Sequence, residues 1–130
     1  MSRTPPATPP ALRRRFDRLG IVLSGLCAVH CLLGIALVSI LGLGGLGGEL
    51  LLAPEIHRIG LGLAIAVGLV ALGYGARRHG RIGPLAIGAC GLALMGAALA
   101  AGHGVSEAVL TIAGVALVAL AHIRNLRHAH

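Results

Sequence analysis

The chain has no lysine and no tryptophan, one phenylalanine, one tyrosine and only four acidic residues in 130. Aromatics at 2% leave no ring platforms for stacking nucleic-acid bases and no interfacial aromatic belt. Charged residues make up 12%, against about 25% in a soluble domain. Period-2 alternation is absent, which excludes a transmembrane β-barrel. A phosphate-cradling nucleotide loop is missing too, which excludes an ATP-driven pump. Neither Cys-x-x-Cys nor Cys-x-x-Cys-His occurs, so the redox and haem-attachment motifs do not fit. No internal repeat is detectable.

What is present is apolar. Hydrophobic residues form 56% of the chain beside 21 glycines, and the mean hydropathy is +0.90. A domain of this size buries only about two-thirds of its chain surface in water, so lipid is the solvent the composition implies. Disorder is excluded by the same numbers.

Four apolar runs set the expected architecture: an all-α membrane protein, a bundle of four transmembrane helices over 19–123. The spans are expected at 19–43, 59–75, 82–101 and 106–123. The first run is about 25 residues, longer than the 7–15-residue core of a cleavable signal peptide, and reads as a retained span. Residues 1–18, with four prolines and five arginines, read as a disordered basic tail, and 124–130 as a second tail. The glycine-rich connection before the second span contains Glu49 and Glu55. The links at 76–81 and 102–105 are short, so neighbouring helices are expected to run antiparallel.

All 11 basic residues are arginine, and their placement gives the orientation. The first tail, the 76–81 link and the C-terminal tail hold all of them except Arg58, which places both termini in the cytoplasm. The net charge of +7 is then a membrane address, and nucleic acid is not an expected partner. Ala89, Ala93, Ala97 and Ala101, with Ala64 and Gly68, have the small-xxx-small spacing of a helix-packing seam.

Chemistry concentrates in the first span. Cys27 and Cys31 are spaced i, i+4 and His30 is i+3 from Cys27, so on a helix the three share one face with Cβ atoms about 5–6 Å apart. An ionisable histidine inside a span ordinarily marks a pathway or a site. Two thiols beside an imidazole are a soft ligand set suited to Cu(I), Zn(II) or Hg(II), bound as thiolates. Cys90, alone in the third span, reads as an apolar filler. On the outer side lie Glu49, Glu55, His57, His103 and Glu107. Glu55 and His57 read equally as an ion entrance or as interfacial polarity. Glu107 reads as a first-turn acid favoured by the helix dipole. On the inner side His79, His122, His128 and His130 lie among arginines; His122 is the candidate exit ligand, and the tail histidines His128 and His130 read as solvated.

From residue 17 onward, DRLGIVLSGLCAVHCLLG, PEIHR, GARRHGRIGPLAIGACGLALMG and AHIRNLRHAH resemble the MerC family of mercury-resistance membrane proteins over about 17–128. The resemblance implies a multi-pass carrier in the bacterial inner membrane that passes Hg(II) to the cytoplasm through paired cysteines, here Cys27 and Cys31. His30, His57, Arg78, His79, His122 and Asn125 resemble the group's recurrent polar positions. CAVHC is a Cys-x-x-His-Cys variant, whereas the mercury transporters proper resemble a Cys-x-x-Cys pair.

The expectation is therefore a carrier, not an enzyme, with no tightly bound cofactor and Hg(II) as cargo. Cys27 and Cys31 are its ligands, His30 an auxiliary ligand or proton acceptor, Glu55 and His57 the entrance and His122 the exit. Its partners would be the lipid bilayer, a soft metal ion and a cytoplasmic thiol acceptor or mercuric reductase, and a thin bundle is compatible with a homo-oligomer. The rival readings are an assembly subunit of a membrane complex, a copper or zinc protein, and a proton or redox relay through His30.

Overall fold

The computed structural model describes residues 9–42, 53–102 and 104–128. Four helices account for nearly all of them: α1 (Pro10–Leu41), α2 (Pro54–His79), α3 (Gly83–Ala101) and α4 (Val105–Arg127). Each is long and apolar enough to cross a membrane. At 1.5 Å per residue even the 19-residue α3 reaches about 28 Å, close to the hydrocarbon thickness of about 30 Å.

Punctuation residues set the ends. Proline occupies the first turn of α1, α2 and α3, where its missing N–H costs nothing and its φ is already helical. Gly42 and Gly80 close α1 and α2 in the left-handed conformation at φ 60° and 64°, a C-cap that an L side chain resists. Arg77, Arg78 and His79 end α2, and Arg124 and Arg127 end α4, while Glu55 and Glu107 sit in the first turns. Each charge complements its helix dipole.

Three helices overrun the bounds read from the sequence, α4 among them, which continues to Arg127 through most of the tail expected at 124–130. The tail expected to be disordered over 1–18 is helical from Pro10. Proline at the first position leads into Ala-Leu-Arg, strong helix formers, and Arg13 and Asp17 of this stretch are buried against the bundle. The second helix starts at Pro54 and ends at His79, beyond 59–75 on both sides, because its polar first and last turns still make helix. Residues 1–8, His130 and the expected outer residues Glu49 and His103 lie outside the described residues.

Consecutive helices pack side by side, and α4 returns to pack on α1. Contacts between opposite ends of adjacent helices (Arg13 with His79, Cys31 with His57, Asp17 with His122) show the antiparallel order. The most extensive interface is α3 with α4, and α1 with α2 is looser. The core is Ala64, Met95, Val115 and Val118, with Leu23, Cys27 and Leu92 packed on it. Leu26, Leu32, Leu33 and Leu69 are more than half exposed, the outward apolar surface of a protein solvated by lipid.

The alanine seam is displaced from its expected register. Ala89, Ala93, Ala97 and Ala101 are exposed, and the buried face of α3 is Pro84, Gly88, Gly91, Met95 and Ala98. A Cβ on Gly91 would lie 2.6 Å from the Gly114 carbonyl oxygen, and one on Gly114 2.7 Å from that of Gly91. Glycine against glycine brings these two backbones together, which alanine against alanine could not. The other expected pair, Ala64 and Gly68, is buried.

Candidate functional site

The face of α1 that carries Cys27, His30 and Cys31 looks across at the first two turns of α2. Cys31 is buried, and its Sγ lies 3.6 Å from His57 Nε2. One turn deeper, Cys27 faces Gly60, where an added Cβ would sit 3.5 Å from its Sγ. Glycine here keeps the wall beside Cys27 low. The His30 and His57 rings meet edge to face with centroids 5.8 Å apart. The helical spacing of the α1 set and the i, i+3 spacing of His57 and Gly60 place these groups on one seam.

Between α1 and α2 this seam opens into a cleft of about 470 Å³, lined by Cys27, His30, Cys31 and His57 among leucines and isoleucines, with Met95 and Thr111 at its back. A second cavity of about 150 Å³ lies between the end of α1 and the start of α4 and is lined by Ser39, Gly104 and Glu107. Cys31 lines both. It is therefore the junction between the cleft and the end of the bundle away from the arginines.

Glu107 is the residue the sequence reading undervalued. It is buried, and its Oε1 lies 3.6 Å from His57 Nδ1, an ion-pair separation that leaves Nδ1 without a hydrogen bond. Its first-turn position had a sufficient local explanation in the helix dipole. The further signal in the sequence is that Glu107 and His57 both fall among the few polar residues at the span ends away from the arginine clusters. Glu55, grouped with His57 as an entrance, is exposed on α2, and the structure does not bring it to the cysteines. Cys90 is exposed on α3 and does not line the cleft. Among the described residues no three His, Cys, Asp or Glu side chains converge as a ready-made chelate.

His122 occupies a second polar cluster near the arginine-rich end. It is fully buried, and Nδ1 lies 2.9 Å from Asp17 Oδ1. Asn125 Nδ2 donates to both Asp17 oxygens at 3.1 and 3.0 Å and to the Ala71 carbonyl at 3.2 Å. His122 Nε2 has no hydrogen-bond partner, and its ring is packed on Gly20. Enclosed in this way, His122 lines neither the cleft nor the second cavity. His79, exposed at the end of α2, accepts at Nε2 from Arg13 Nη1 at 2.8 Å.

The cleft thus has two thiols and two imidazoles along its lining, with a carboxylate beyond one imidazole, inside an apolar bundle. Thiolates are the side chains that select soft metal ions. No curated protein and no solved structure matches the chain. The sequence does match the family described as MerC mercury resistance protein, over residues 17–127. The chain is accordingly a multi-span membrane protein of the MerC mercury resistance family.

Proposed function

We propose that this protein carries mercuric ion across the bacterial inner membrane toward the cytoplasm, by thiolate exchange on Cys27 and Cys31. The carrying observation is the shared cleft face of the two thiols, with Cys31 at its junction with the outer cavity. A dication at this depth would be strongly disfavoured on its own. Two thiolates neutralise it, and a soft ion bound by two sulfurs needs no third protein ligand.

Binding as thiolate releases the thiol protons, and His57 Nε2, 3.6 Å from Cys31, is placed to accept one. Glu107 lies on the far side of the imidazole, its Oε1 3.6 Å from His57 Nδ1. His30 is the auxiliary donor beside the pair, and Glu55, exposed in the first turn of α2, adds negative charge at the mouth. The arginine-rich end faces the cytoplasm in this reading, and a cytoplasmic thiol acceptor such as a mercuric reductase takes the ion there.

The test is mercury sensitivity and uptake in cells that lack the cytoplasmic reductase. The protein should raise both, and Cys27→Ala with Cys31→Ala should abolish the increase. An increase that survives the double substitution would end the proposal.

A further inference from the structure

The two ends of the bundle are built differently. Away from the arginines, two cavities reach Cys31. Toward the arginines, Asp17 of α1 is fully buried and holds His122 and Asn125 of α4, while Asn125 also holds the Ala71 carbonyl of α2. Asp17 precedes Cys31 by fourteen positions, about 21 Å along the helix. One polar knot therefore ties three of the four helices together beneath the site.

Two glycines make room for the knot. An added Cβ on Gly20 would collide with the His122 ring, and one on Gly75 with the Asn125 amide. Glycine in a helix interior is unfavourable against alanine, and at both positions it admits a polar side chain of α4. His122 Nε2, buried and unpartnered, is a further cost of this closed packing. Fully made, such a buried polar network rigidifies the contact; partly broken, it leaves costly unpaired groups in the apolar bundle.

We infer that Asp17, His122 and Asn125 form a closed inner gate, which seals the arginine-rich end while Cys31 is open to the opposite end. The inference rests on the carrier reading. Release of the ion toward the arginines then requires α1 to part from α4 at Asp17.

The experiment uses full-length protein in membrane vesicles of both orientations, with Cys31 as the sole thiol (Cys27→Ser, Cys90→Ser) and a small impermeant methanethiosulfonate as probe. A separate Arg127→Cys chain, with the native cysteines replaced by serine, reports which side the arginine-rich end faces. Cys31 should label faster from the opposite side. Gly20→Ala should raise labelling from the arginine side about tenfold, the effect of one lost buried hydrogen bond on a two-state equilibrium, and Asp17→Ala, which loses the bonds to both His122 and Asn125, by at least that much. Asp17→Asn, which keeps the side-chain shape, should give a smaller rise and covers the case in which the other two do not fold. Equal labelling from both sides in the parent chain, or an arginine side still closed in the folded variants, would overturn the gate. The labelling needs no mercury, so loss of the carrier reading shows separately, as unchanged uptake with the labelling asymmetry intact.

Discussion

Asp17 and His122 stand 105 positions apart in sequence and 2.9 Å apart in space, both side chains closed to solvent. Asp17 accepts from His122 and Asn125 at once, so removing its carboxylate strands two buried donors in an apolar interior. Asp17→Ala is expected to destabilise the bundle by about 2–4 kcal/mol. Asp17→Asn should cost less, since one acceptor oxygen survives. Thermal unfolding in detergent micelles measures both.

Mercury binding should follow the thiols of α1 and ignore that of α3. Purified protein is expected to bind Hg(II) stoichiometrically, and Cys27→Ala or Cys31→Ala to abolish this. Cys90→Ala, on an exposed face of α3, should bind as the parent does. Competition of Hg(II) against Cu(I) and Zn(II), read by metal analysis after dialysis, checks the preference.

His57 links the site to Glu107. His57 is the proposed acceptor of a thiol proton released on binding, so Glu107→Gln, which removes the carboxylate 3.6 Å from its Nδ1, should weaken mercury binding. His57→Ala should weaken it at least as far. Titration against a competing small thiol gives both numbers, and an unchanged affinity in Glu107→Gln would remove the carboxylate from the site.

Much of this molecule is legible in its sequence. Hydropathy marks the four helices, and the spacing of Cys27, His30 and Cys31 places them on one face. The packing register is not legible, for a physical reason. Nearly every residue of α3 is small or apolar, so no polar face contrasts with a buried one, and a run of alanines every fourth position looks like a seam. The contact forms instead where Gly91 and Gly114 let backbones meet. Asp17 was hidden differently: among arginines it reads as a solvated tail residue, and only the fold brings α4 to it.

The glycine contact carries its own prediction. Gly114→Ala puts a methyl group against the Gly91 carbonyl and Met95 and should destabilise the bundle by about 1–3 kcal/mol. Ala97→Leu, on the exposed face of α3, should change stability by no more than about 0.5 kcal/mol. Thermal unfolding in detergent separates the two, and the opposite ranking would restore the alanine seam.

That backbone contact also divides the labour of the bundle. Gly91 and Gly114 lock α3 and α4 into the closest pair, a stator with little freedom to shear. The cysteines ride instead on α1, whose contact with α2 is looser and is interrupted by the cleft. In the proposed carrier the two thiols thus lie on the helix that borders the cleft, outside the tightest helix pair.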